Sequence, residues 1–176
     1  MEYTEKRQDG VLVYDGKVVK LEVDEVLLPN GGTSKREIVR HSGGACVVYE
    51  EDGNIAFVRQ YRYAYGESVI ELPAGKLNQG EDPMQTAKRE LEEETGVIAE
   101  HLTLLHQVYP TPGYTDERLY IYLAKDGKKG KKNLDEDEFL DVVWIPVAEA
   151  KEMLKTGEIK DAKTLVGLYR YFLDKP

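Results

Sequence analysis

The chain has 176 residues, of which 41% are hydrophobic, and this is enough to bury the core of a single domain. Its formal net charge of -9 at pH 7 argues against non-specific binding to nucleic acid or to a membrane surface, because both require a basic field. The single cysteine, Cys46, lies in an apolar run and cannot form an internal disulfide; the polar residues 1–10 and the lack of an apolar run of about 20 residues predict a cytoplasmic location.

The first part of the chain has the pattern of antiparallel strands. Residues 1–40 alternate polar and apolar positions, and the turn-forming sequences YDGK (14–17) and PNGG (29–32) interrupt them. This pattern predicts two or three antiparallel strands. Two apolar runs follow, separated by EEDGN (50–54), which predicts a hairpin centred on Asp52 and Gly53.

The remainder of the chain alternates predicted strands with predicted helices. Further strands are expected within 68–74, 102–110, 117–125 and 139–146. The lysine-rich connector 126–133, with the sequence DGKKGKKN, is predicted to be a solvated loop.

Three helices are predicted, over residues 83–95, 147–156 and 162–173. The first has Asp82 as its N-cap, Pro83 at its first position and Gly96 at its left-handed C-terminal position. The layout is therefore a mixed sheet with helices packed on it.

The helix at 83–95 places an unusual set of carboxylates on one face. At about 3.6 residues per turn, Glu90, Glu93 and Glu94 lie close together around the helix axis, away from an apolar stripe that includes Leu91. A solvated acidic surface would explain the glutamates alone. Divalent cations such as Mg²⁺ or Mn²⁺ would also explain them, because these ions prefer carboxylate and carbonyl oxygens and would remove the repulsion between like charges.

The residues around the glutamates favour the cation. Glycines and one further acid, Glu81, stand at set positions that a solvated face does not require. The segment 75–97 resembles the signature sequence of the Nudix hydrolases at all nine of its defined positions: Gly75, Glu81, Arg89, Glu90, Leu91, Glu93, Glu94, Gly96 and Val97. A pattern of this length is far more specific than a short glycine motif.

The resemblance implies a fold, a reaction and a metal site. The fold is of the α/β (α+β) class, a Nudix-type α/β/α sandwich with a mixed sheet in residues 41–176, preceded by an N-terminal antiparallel β-sheet segment in residues 1–40. The reaction is the Mg²⁺- or Mn²⁺-dependent hydrolysis of a nucleoside diphosphate linked to another group. The metal ligands would be Glu90, Glu93, Glu94 and the carbonyl of Ala74, and Arg89 would hold the carboxylates in place.

A second segment, YPTPGYTDE (109–117), resembles the ADP-ribose pyrophosphatase branch of the family, in which a proline follows the signature at the distance of Pro112. Pro112 and Gly113 would then belong to a substrate-binding loop, although an ordinary turn would give the same sequence. The branch implies hydrolysis of ADP-ribose to AMP and ribose 5-phosphate. Alternatives are another nucleoside diphosphate sugar or a dinucleotide as substrate, or a catalytically silent nucleotide-binding sensor.

In that branch the catalytic base is a glutamate on a mobile loop well after the signature. Residues 135–138 supply four acidic side chains just before a predicted strand. The resemblance assigns the base first to Glu136 and second to Glu138, with a solvated acidic loop as the alternative.

Arginines are the expected contacts for the substrate. Arg59 and Arg62 lie on one strand but on opposite faces, and the resemblance favours Arg62 for the phosphates. Arg36 and Arg40 would reach the substrate across a homodimer, because in this branch the N-terminal strands exchange between subunits. The expected partner is thus a small molecule, with no nucleic acid or membrane involved.

Overall fold

The computed structural model describes residues 3–136 and 138–173. They belong to two units, the first within Met1–Gly43 and Tyr109–Arg118 and the second within Gly44–Val108 and Leu119–Pro176.

The first unit contains the N-terminal sheet that the alternating pattern predicts. It has three antiparallel strands, β1 (Lys6–Asp15), β2 (Lys20–Leu27) and β3 (Thr33–Arg40), in the order β1-β2-β3. The segment Tyr109–Arg118 joins this unit through Val39, whose N–H donates to the Tyr114 carbonyl at 2.7 Å. The carbonyl of Val39 accepts from the N–H of Asp116 at 3.3 Å. The PTPG sequence is therefore part of a segment tied to β3.

The second unit is built on a seven-stranded mixed sheet, since β10 pairs with β4 in parallel and the other neighbours pair antiparallel. The order is β12-β5-β4-β10-β9, with β6 beside β5 and β7 beside β4. The strands of this unit are β4 (Gly44–Glu51), β5 (Asn54–Arg62), β6 (Glu67–Glu71), β7 (Ala74–Lys76), β8 (Val97–Ile98), β9 (His101–Val108), β10 (Leu119–Lys125), β11 (Lys128–Lys129) and β12 (Leu140–Pro146).

The turn between β4 and β5 is the tight hairpin that the sequence predicts. Asp52 and Gly53 both have positive φ angles, 49° and 75°. Two consecutive left-handed residues match the twist of the flanking strands, and aspartate and glycine tolerate that conformation better than most residues.

The three helices have the predicted bounds: α1 (Pro83–Thr95), α2 (Val147–Thr156) and α3 (Ala162–Leu173). The Asp82 carboxylate accepts from the N–H of Met84 at 2.9 Å, and Gly96, with φ of 75°, donates to the Glu92 carbonyl at 2.8 Å. Each end of α1 therefore has a capping residue next to it in the sequence. Within residues 3–136 and 138–173, none of the helices has the length and apolar character needed to cross a membrane.

The alternation of β4 divides the core into two layers. Its residues Ala45, Val47 and Tyr49 are buried with Ala87 and Leu91 of α1. Its intervening residues are buried on the other side of the sheet with residues of α2 and α3, in a cluster that includes Cys46, Val48, Leu154 and Leu168. The second unit is therefore the expected α/β/α sandwich, and Cys46 is a packing residue within it.

The lysine-rich connector differs from the predicted solvated loop. Its lysine side chains are exposed, but Lys128–Lys129 form β11, which pairs with β8. The N–H groups of Gly130 and Asn133 donate to the carbonyls of Gly96 and Glu93, at 2.6 and 2.9 Å. The end of α1 leaves carbonyls without helical partners, and the connector supplies their donors.

Candidate active site

The signature residues meet where β7 runs beside α1. The N–H of Ala74 donates to Oε2 of Glu94 at 2.9 Å. At Gly75 an added Cβ would lie 2.0 Å from Oε1 of Glu90. Only glycine leaves room for the Glu90 carboxylate at this point, so strand and helix are in direct contact through the carboxylates.

Arg89 ties three carboxylates together. Its Nε and Nη2 donate to the two carboxylate oxygens of Glu81, both at 3.1 Å. Its Nη1 donates to Glu90 at 2.6 Å and to Glu93 at 3.0 Å. These bonds lower the pKa of Glu81 to about 2.

Burial makes the charges on this helix costly. Glu94 is 1% exposed, and burial raises its pKa to about 8, although the bond from the Ala74 N–H opposes the rise and the negative charges of Glu138 and Glu90 add to it. Burial also raises the pKa of Glu90, against the opposing effect of Arg89. A site that gathers buried carboxylates in this way favours a bound cation.

The donor chemistry of the site fits a hard divalent cation. Glu90, Glu93 and Glu94 are carried by one helix, and the Glu90 carboxylate lies where a Cβ on Gly75 would be. Within the described residues, no three acidic, histidine or cysteine side chains are already arranged as a formed metal site. Arg89 donates to oxygens of Glu90 and Glu93. The ligand set, including the Ala74 carbonyl, stays a prediction.

The two predicted bases have different surroundings. Glu136 is exposed in a turn, whereas Glu138 is half-buried. Burial raises the pKa of Glu138, and the charges of Asp135 and Glu93 raise it further. The two carboxylates therefore differ in burial, and the identity of the base stays a prediction. Asp137, also in the predicted acidic loop, lies outside the described residues.

The arginines of β5 differ in their contacts. Arg59 is exposed, while Arg62 donates from Nε and Nη2 to the two carboxylate oxygens of Glu71 at 2.5 and 2.8 Å. Burial works to raise the pKa of Glu71, but Arg62 and Lys163 outweigh it and the pKa is lowered. Sequence reasoning did not assign Glu71 or Lys163, because nothing in the sequence links positions 92 residues apart.

The other predicted substrate contacts lie in the first unit. Arg36 donates to Glu5 at 2.9 Å. Arg40 donates to Glu22 at 3.0 Å and to Asp116 at 3.1 Å. Pro112 and Gly113 lie in an exposed turn. Their roles in binding stay predictions.

Comparison with known proteins decides the family. The model of the NUDIX domain matches residues 39–166. The chain belongs to the Nudix family. It is 44% identical over 169 residues to a methanol dehydrogenase activator of Bacillus methanolicus, covering 94% of this chain and 91% of the relative. It is 43% identical over 155 residues to an ADP-ribose pyrophosphatase of Bacillus subtilis (strain 168), covering 86% and 84%.

A solved structure agrees with the Nudix fold. The crystal structure of an ADP compounds hydrolase superposes with a TM-score of 0.85 over 96% of this chain and 92% of that one. At 22% sequence identity, this likeness concerns the fold. With an intact Nudix signature, the chain is a pyrophosphohydrolase.

Proposed function

We propose that this Nudix enzyme hydrolyses the pyrophosphate bond of ADP-ribose, giving AMP and ribose 5-phosphate, with Mg²⁺ or Mn²⁺ as its cofactor. The observation that carries the proposal is the carboxylate cluster at α1. Arg89 donates hydrogen bonds to Glu81, Glu90 and Glu93, and the buried Glu94 accepts from the N–H of Ala74. The identity of 43% to a relative named ADP-ribose pyrophosphatase supports the choice of substrate.

The proposed roles of the signature residues are metal binding and orientation of the metal ligands. Glu90, Glu93 and Glu94 would hold the cation, which when bound neutralises phosphoryl oxygens and makes a water nucleophilic. Arg89 orients Glu90 and Glu93 and is itself fixed by Glu81.

Glu138 is the proposed general base. Its half-buried carboxylate lies close enough to the signature carboxylates to raise the pKa of Glu94, and burial raises its own pKa. A carboxylate oxygen of Glu138 would accept a proton from the attacking water.

The substrate must be held by cationic groups, since the acidic chain otherwise repels it. Arg62 is the proposed phosphate contact in the second unit, because its Nη1 makes no hydrogen bond to any residue in the described part of the chain. Further candidates for contacts with the substrate are Arg59, Arg36, Arg40 and the turn at Pro112.

A homodimer with exchanged N-terminal strands is part of the proposal. It is supported by the exposure of Val11, Leu12, Val13 and Tyr14 on β1, each more than half exposed. Light scattering during size-exclusion chromatography is expected to give a dimer mass, and removal of residues 1–15 is expected to give a monomer.

Product analysis tests the reaction. Purified protein is assayed with Mg²⁺ on ADP-ribose, ADP-glucose, GDP-mannose and FAD, with monophosphate release as the readout. A preference for ADP-ribose is expected, together with a loss of at least about 100-fold in kcat for E93Q and E94Q. The control E92Q removes one charge from the same helix and is expected to keep its activity. Full activity in both E93Q and E94Q would refute the proposed metal site.

A second function is favoured by one comparison, the 44% identity to a relative named methanol dehydrogenase activator. Adding the wild-type chain and E94Q separately to a methanol dehydrogenase tests it. Faster alcohol oxidation with the wild type alone would support activation through the Nudix site, and no change with either protein would exclude it.

A further inference from the structure

We propose that Lys163 is a positioning residue for the substrate: through Glu71 it fixes the guanidinium of Arg62, with Nη1 turned toward the phosphates. The inference rests on the proposed function, in which Arg62 contacts the substrate.

The first observation is a continuous set of hydrogen bonds around Glu71. Arg62 engages both carboxylate oxygens of Glu71, at 2.5 and 2.8 Å. Lys163 donates from Nζ to Oε2 of Glu71 and to Oδ1 of Asp161, the latter at 3.0 Å. Glu71 is therefore held by two cations at once, and Lys163 is held by two carboxylates.

The same residues tie the end of β6 to the start of α3. Oδ2 of Asp161 accepts from the N–H of Thr164 at 2.9 Å and from its hydroxyl at 2.6 Å, which makes Asp161 the N-cap of α3. The hydroxyl oxygen of Thr164 accepts from the N–H of Leu72 at 2.8 Å. Because Leu72 follows Glu71, the backbone of the strand and its carboxylate are both fixed to α3.

Burial shows that this arrangement is more than a surface ion pair. The side chains of Glu71 and Lys163 are 3% and 12% exposed. The pair between Lys160 and Glu67 also joins β6 to the segment preceding α3, but these side chains are 64% and 46% exposed. Removing one cation from a buried carboxylate lowers the stability of the folded chain, whereas an exposed ion pair contributes little to that stability.

The position of the network gives it a role at the site. Two residues after Leu72, the N–H of Ala74 contacts the Glu94 carboxylate. The charge of Arg62 lowers the pKa of Glu138, and that of Glu94 raises the pKa of Arg62, so Arg62 lies within electrostatic range of the signature helix and of the proposed base. Side-on pairing through Nε and Nη2 leaves Nη1 as the nitrogen available to an anion.

Because Lys163 is proposed to act through Glu71 and Arg62, its replacement is expected to change the kinetics without removing a contact to the substrate. In K163M the stem of the side chain remains and the ammonium is lost. Glu71 then keeps one cation, and Arg62 is no longer held against a fixed carboxylate. The expected result is an increase in KM for ADP-ribose of about tenfold, with kcat reduced less than about threefold, because positioning of Arg62 affects binding before chemistry.

The matched control is K160M, which removes an ammonium from the exposed pair beside the network. It is expected to leave KM and kcat within about twofold of wild type. Both variants are compared at equal protein concentration. Thermal unfolding checks that each variant is folded at the assay temperature. A rise in KM for K160M equal to that of K163M would overturn the inference, because it would reduce the effect to surface charge.

A double-mutant cycle separates positioning from general stability. If Lys163 acts through Arg62, K163M is expected to change KM by less than about twofold in an R62Q background. Independent, multiplicative effects would overturn the inference. Should K163M fail to fold, E71Q replaces it: this variant keeps the shape and loses the charge, and KM equal to that of the wild type would again refute the role.

The two proposals fail in different ways. If the wild type hydrolyses none of the diphosphates in the panel, the proposed function fails. If the wild type is active and K163M differs from it only in melting temperature, the proposed function stands and the positioning role fails.

Discussion

Replacement of Glu94 by glutamine tests whether burial of this carboxylate opposes folding without metal. Glu94 is 1% exposed and its pKa is about 8, against an ordinary value of 4.5. Glutamine keeps an oxygen that can accept from the N–H of Ala74, but it carries no charge. E94Q therefore resembles the protonated form of the wild type at every pH.

The sign of the effect follows from the raised pKa. The folded chain binds this proton more tightly than the unfolded chain, so the stabilisation is complete below about pH 4.5 and is lost as the pH rises through about 8. At about 1.4 kcal/mol per pKa unit, the loss near pH 8 is roughly 4 kcal/mol at most. A divalent cation would offset this loss by compensating the charge.

The assay is urea denaturation of wild type and E94Q in chelator, at about pH 5 and about pH 8. E94Q is expected to exceed the wild type by a few kcal/mol at the higher pH and to match it at the lower one. Mg²⁺ is expected to stabilise only the wild type at the higher pH. E92Q serves as the charge control. A difference between E94Q and wild type that does not change with pH would refute the reasoning.

Three further substitutions test the site and the core. G75A places a Cβ 2.0 Å from the Glu90 carboxylate, and because the clashing atoms end a side chain we expect the protein to fold. Its kcat/KM is expected to be at least about tenfold lower across a Mg²⁺ titration, and wild-type kinetics would contradict this. E138Q is expected to lower kcat about 100-fold and E136Q less than about threefold in a pH–rate series; the reverse order would restore the ranking from sequence. L91A removes a fully buried side chain and is expected to cost about 2 to 5 kcal/mol in urea unfolding, a smaller cost showing that the interface of α1 collapses around the gap.

The sequence predicted the elements whose signals are local. The bounds of α1 follow from its cap residues Asp82 and Gly96, and the hairpin follows from Asp52 and Gly53, because each signal acts within a few residues of its effect. The α/β/α layers were expected from the resemblance to the Nudix family, whereas the predicted elements alone indicated a mixed sheet with helices packed on it.

The rest could not be read from the sequence because it depends on distant pairings. Glu71 meets Lys163 only after β6 and α3 have packed together. The surroundings of Glu138 depend on how the segment after Asn133 packs near the end of α1, which the sequence does not indicate. The lysine-rich connector has a solvated composition, and its pairing with β8 is a backbone contact that composition does not indicate.

That connector also has a consequence for the dynamics of the chain. The amides of Gly130 and Asn133 donate to carbonyls at the end of α1, and Asn133 lies only five residues before Glu138. Their hydrogens can exchange with solvent only when these bonds open. Exchange at the two amides should therefore slow together with that of the last turn of α1 when a cation binds. Gly130 and Asn133 would then report on the occupancy of a site to which their side chains contribute nothing.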